Sequence, residues 1–144
     1  MFTLILRRIQ ALFVSSVAVA GLAVSSATIA ADAPGVLSGA QEAPPVTTKA
    51  SGRLDIVVAA DKSVTGGVDV KDIDSTAAHI HLGRPGVSGQ AVVTLEKATP
   101  TRWVVPANTH LTDEQFRAYK ADELYVNVHS AAHAAGEIRA QLKP

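Results

Sequence analysis

The chain has 144 residues, no cysteine, one methionine, at position 1, and 13 basic against 13 acidic side chains. With no sulfur ligand beyond Met1, iron–sulfur clusters, blue-copper sites and cysteine nucleophiles are excluded, and any metal must be held by nitrogen and oxygen. The even charge balance, without a basic run, argues against nucleic acid or a membrane surface as partner.

Arg7 and Arg8 precede an apolar run from Ala11 to Ser26, and Thr28-Ile29-Ala30 places small residues at a cleavage position, so residues 1–30 read as a secretory signal peptide. Ile9-Gln10-Ala11 lacks the bulky apolar pair of a twin-arginine signal, which points to general export into a periplasm or the exterior. The run is shorter than a membrane span, so no membrane insertion is expected after cleavage. Residues 31–144 then form one domain of 114 residues with 11 basic and 13 acidic side chains, a net charge of −2. Exported yet without disulfides, it must be held by its own core.

Short apolar alternations separated by turn residues predict an antiparallel all-β domain. Val36 to Ala40 is a weak first strand, followed by Gln41-Glu42-Ala43-Pro44-Pro45, where two prolines forbid ladder hydrogen bonds. Leu54, Ile56 and Val58 alternate with polar positions in a second strand, and Asp61-Lys62 turns into Ser63–Val70, with a bulge expected at Gly66-Gly67. Thr76–Leu82, a tight loop from Gly83 to Gly89, and Ala91–Leu95 follow; Trp103 and Val105 share a face of a short strand that Pro106 ends. Thr112 and Gln115 have the spacing of a capping box, with Leu111 and Phe116 as a hydrophobic staple, so a helix is expected from Asp113 to about Ala121. Glu123–His129 and Glu137–Leu142 are the last two strands.

Histidine enters this pattern in a particular way. His79 and His81 are two apart, so on a strand they share a face with backbones about 6.6 Å apart. Ala78, Ile80 and Leu82 take the opposite, core face. In the later strand Leu124, Val126 and Val128 point inward, leaving Tyr125, Asn127 and His129 to face outward toward solvent. In the final strand Glu137, Arg139 and Gln141 occupy the corresponding polar face. Three neutral imidazoles suit copper or zinc and leave a coordination position open. His133, four residues beyond His129, is a candidate fourth ligand, and Glu137 a candidate to orient an imidazole from behind. Outward histidines also serve as plain hydrogen-bonding groups, and His110 is expected to be simply exposed. No Gly-x-Ser-x-Gly elbow or Walker lysine accompanies Ser130 or the Gly83–Gly89 loop, so neither a serine hydrolase nor a phosphate cradle is indicated.

Leu37-Ser38-Gly39-Ala40-Gln41-Glu42-Ala43-Pro44-Pro45-Val46, Ala77-Ala78-His79-Ile80-His81-Leu82-Gly83, Gly86 to Leu95, Trp103-Val104-Val105-Pro106, Leu111-Thr112 and Glu123 to Ser130 through Gly136 to Leu142 resemble, in order, the CHRD domain family first described in chordin. The resemblance covers residues 31–144 almost end to end. Asp122 and Ala140 stand where that family usually has glycine, and His133 where it commonly has other residues. What the resemblance implies is an antiparallel Greek-key β-sandwich or barrel, immunoglobulin-like or superoxide-dismutase-like, with one short helix and no general biochemical activity. The His-x-His strand also looks like the copper strand of copper/zinc superoxide dismutases, although the disulfide and a clear bridging-histidine loop of those enzymes are not apparent. Fold likeness alone does not carry function. The resulting expectation is a non-catalytic exported domain binding copper or zinc through the histidine face. The alternative is a metal-free structural or interaction module of the cell envelope, with a protein or glycan partner. A superoxide-dismutase-like copper enzyme is the third reading.

Overall fold

The computed structural model describes residues 35–144; the signal segment expected over residues 1–30 lies outside them. Eleven strands, one α-helix and a short 3-10 turn at Gly39–Gln41 make up the described chain. The strands and the helix are β1 (Val36–Ser38), β2 (Ser51–Leu54), β3 (Val57–Val58), β4 (Val64–Thr65), β5 (Gly67–Lys71), β6 (Ser75–Leu82), β7 (Ala91–Thr94), β8 (Glu96–Thr99), β9 (Arg102–Val104), α1 (Asp113–Lys120), β10 (Leu124–Ser130) and β11 (Ile138–Gln141). Nine strands form one antiparallel sheet in the order β7-β6-β10-β11-β1-β2-β5-β9-β8, and β3 pairs separately with β4. The two outermost strands are consecutive in the chain. Only Leu95 separates them, buried and donating its N–H to the Ala78 carbonyl, so the sheet curls into a nearly closed barrel, as an all-β antiparallel domain requires.

Alternation explains the interior. Leu37, Val68, Val70, Ala78, Ile80, Leu124, Val126, Val128, Ile138 and Ala140 lie on one face of their strands and pack together with Trp103, Leu95 and Leu142. Trp103 is fixed by its indole N–H donating to Ser75 Oγ at 2.9 Å, which satisfies the polar edge of a buried ring. The long strand expected through Leu54, Ile56 and Val58 is broken into β2 and β3 at Asp55-Ile56; the Asp55 N–H still donates to the Gly67 carbonyl, and its carboxylate accepts from Gly67 N–H and Arg102. Where a bulge was expected at Gly66-Gly67 the strand is instead divided, with Gly66 at φ +98° between β4 and β5, which pair with different partners. A further strand, β8, was not anticipated; all four of its residues are exposed.

The helix begins as its sequence dictates. Thr112 Oγ1 accepts from the Gln115 N–H while the Gln115 side chain accepts from Thr112 N–H, and Asp113 and Glu114 sit at the positive end of the helix. Tyr119 is buried with its hydroxyl donating to the Lys143 carbonyl. Asp122, just beyond the helix, has φ +61°, the left-handed conformation for which glycine is favoured. Among the described residues no helix is long and apolar enough to cross a membrane.

Candidate metal centre

The register of three neighbouring strands builds the site. In the β6–β10 pairing His81 lies opposite Tyr125 and His79 opposite Asn127; in β10–β11 Asn127 lies opposite Arg139. All of these side chains therefore stand on the face away from the hydrophobic interior. The expectation that this face meets solvent is corrected for β10 and β11, while His79 and His81 on β6 remain half-buried: every residue of β10 is buried, Asn127 and Tyr125 at 2 % exposure, as is Arg139 of β11 at 1 %. The reason is tertiary. The Gln41–Pro45 loop, the Gly83–Gly89 loop and the Ala131–Gly136 turn close over the polar face; its groups bond to the backbones of the last two, and the Glu42 side chain of the first lies by Asn127.

Arg139 fastens one cover. Its guanidinium donates to the Val87 and Arg84 carbonyls at 3.1 and 3.0 Å and lies 3.5 Å from the Tyr125 ring centre. Burial pushes its pKa down, opposed by Tyr125 and Glu42 nearby. Gln141 donates to the carbonyls of Gly83 and Asp122. Gly83 itself, at φ +158°, leaves no room for a Cβ between the Val87 carbonyl and the Tyr125 ring.

His79, His81 and His129 converge, their ligand nitrogens all within 4.8 Å of one another. His79 Nδ1 is 2.9 Å from His129 Nε2. His81 Nδ1 faces the Gly89 carbonyl at 2.9 Å and His129 Nδ1 the Ala134 carbonyl at 3.0 Å. A carbonyl oxygen only accepts, so both rings carry their proton on Nδ1 and present a lone pair at Nε2. His81 Nε2 is buried with no hydrogen-bond partner. Burial holds all three imidazoles below the ordinary histidine pKa of 6.5; for His79 the other two imidazoles add to the effect, and for His81 and His129 the carbonyl contacts oppose it. The rings are thus neutral and oriented, the form that binds a transition metal.

The remaining expected residues divide. Tyr125 stacks on His81, ring centres 4.9 Å apart, and Asn127 lies beside His81. His133 is outside the group of converging nitrogens; its backbone closes the turn between Ser130 and Gly136. Glu137 makes no imidazole hydrogen bond. It accepts from Thr48 Oγ1 at 2.6 Å, and although burial would raise its pKa, the Ser130 and Thr48 hydroxyls and nearby His133 hold it below the ordinary carboxyl value. The orienting groups behind the imidazoles are instead main-chain carbonyls. His110 is exposed, as anticipated.

One neighbour escaped sequence reasoning. Glu42, in the proline loop, is 7 % exposed, and its Oε1 has no hydrogen-bond partner. Beside it opens a cleft of about 810 Å³ between Gln41–Pro45 and Pro85–Ser88, with Glu42 and Arg139 on its inner wall.

A family model for the CHRD domain matches residues 34–142. The chain belongs to the CHRD domain family. No curated protein and no solved structure matches it. The match takes in every strand of the CHRD barrel, and the three converging histidines fall within it on β6 and β10.

Proposed function

We propose that this is an exported CHRD-domain protein, released into a periplasm or the exterior by cleavage after Ala30, that binds copper or zinc without catalysing a reaction. The observation that carries the reading is the convergence of three neutral imidazoles, one of them with an unpartnered buried Nε2. Such an acceptor costs of the order of 1–3 kcal/mol when left unpaired, and a cation relieves that cost. His79, His81 and His129 would be the ligands, and water or a partner's side chain would complete the coordination.

General affinity trends for nitrogen ligands favour copper(II) over zinc.

Calorimetric titration of the metal-free protein tests the proposal. Saturable one-to-one binding is expected, tighter for copper(II) than for zinc, and lost in His79→Ala combined with His129→Ala. Binding no tighter than millimolar, or binding unchanged in that double variant, would show the reading to be wrong. Amino-terminal sequencing of exported protein is expected to begin at Ala31, and retention of the first thirty residues would refute the export half of the proposal.

A further inference from the structure

Three of the four buried side-chain atoms that lack a hydrogen-bond partner among the described residues are Glu42 Oε1, Asn127 Oδ1 and His81 Nε2. They belong to one neighbourhood. The Glu42 carboxylate and the Asn127 amide meet where Gly136 has no side chain, and a Cβ there would collide with both. Asn127 in turn adjoins His81 and pairs across the strands with His79. The loop Gln41–Pro45 thus delivers a carboxylate from a distant part of the chain onto a face that otherwise carries imidazoles and a buried arginine.

Charge makes this placement informative. A divalent ion held by three neutral imidazoles brings two positive charges under the covering loops, where Arg139 already contributes one. Low-dielectric surroundings penalise an uncompensated cation strongly. Glu137 is turned away toward Thr48 and Ser130, which leaves Glu42 as the buried acid beside Asn127. We infer that Glu42 is a further residue of the metal site, a compensating anion that acts across Asn127 without ligating. The inference rests on the metal reading above.

Burial raises the Glu42 carboxyl pKa, with Arg139, the Ala43 backbone and Asn127 opposing it, so in the metal-free fold this carboxylate is set against the buried guanidinium of Arg139 alone.

The test compares the wild-type protein with Glu42→Gln and Glu42→Asp by copper and zinc calorimetry, alongside thermal unfolding of the metal-free forms. Glu42→Gln keeps shape and loses charge: metal affinity is expected to fall about 10- to 100-fold, the range of residues behind metal ligands, while the metal-free protein stays folded with a melting temperature lowered only by the loss of the anion beside Arg139. Glu42→Asp keeps the charge and is expected to bind more tightly than Glu42→Gln. Should Asp prove the weaker binder, or should Gln bind as tightly as wild type, Glu42 serves the shape of the loop and the inference fails while the metal reading stands. Absence of binding in the wild type would overturn both. If Glu42→Gln does not fold, the Asp variant decides alone, a loss beyond 100-fold counting against compensation by charge.

Discussion

Tyr125 and His81 face each other across β10 and β6 with their rings nearly parallel, 10° apart in plane. The tyrosine hydroxyl accepts from the Gly89 N–H, and the carbonyl of the same glycine faces His81 Nδ1. One loop residue therefore holds both rings of the stack. Tyr125→Phe keeps the stack and removes one hydrogen bond, so a loss of about 1 kcal/mol in urea unfolding is expected, with metal affinity within a few-fold of wild type. Tyr125→Leu removes the plate as well, and metal affinity is expected to drop about tenfold as His81 gains rotational freedom. Equal affinities for the two variants would show that the stack does not orient the imidazole.

Arg139 ties the Gly83–Gly89 loop to β11 by a planar fork that lysine cannot imitate. Arg139→Lys is expected to cost about 2–3 kcal/mol, because it leaves buried carbonyl groups unpaired and a cation poorly satisfied. Amide hydrogen exchange is expected to accelerate at Gly89 and Val87 while Val126 and Val128 stay protected. Uniform acceleration throughout would mean that the arginine supports the whole barrel instead.

The three site histidines give the metal-free protein a defined pH response. Their pKa values are lowered by burial, so between those values and 6.5 the unfolded chain binds more protons than the folded one. Their contribution to stability is complete above pH 6.5 and is lost as the pH falls from 6.5 toward the depressed values. Denaturation midpoints measured from pH 8 to 5 are expected to decline across that window, and His129→Gln is expected to flatten the decline. Bound copper or zinc deepens the dependence, since protons then compete with the ion.

Thr112 and Gln115 form a reciprocal pair at the start of α1. Thr112→Ala is expected to cost about 1 kcal/mol and lower the melting temperature by several degrees, with no change in metal binding because the helix buries Ala118 and Tyr119 in the hydrophobic interior. Thr112→Ser is expected to restore most of the loss. A metal affinity that follows the helix cap would place α1 within the site's support.

How far the sequence carried depends on where each feature is encoded. His79, His81 and His129 were legible because strand parity is local: alternating Ala78, Ile80, Val126 and Val128 force the polar partners onto one face. The cap at Thr112 was legible for the same reason. β8 was not, since Glu96, Lys97, Ala98 and Thr99 carry no alternation and are held by backbone pairing with β9. Nor was the burial of Tyr125, Asn127 and Arg139, because what covers them comes from loops remote in the chain. Glu42 was hidden among prolines for that reason too: nothing near it in sequence announces Asn127 or Gly136. The assignment of Glu137 as an orienting group followed correct parity but could not foresee Thr48.

The single-residue hinge at Leu95 ties the two margins of the sheet into one continuous ribbon. Joined in this way, the two edge strands β7 and β8 stay beside each other although no ladder pairs them, which holds the barrel together in a disulfide-free protein proposed to work outside the cell. It also gives the fold a common point of failure, since loosening that ribbon would unzip the left and right flanks in the same event.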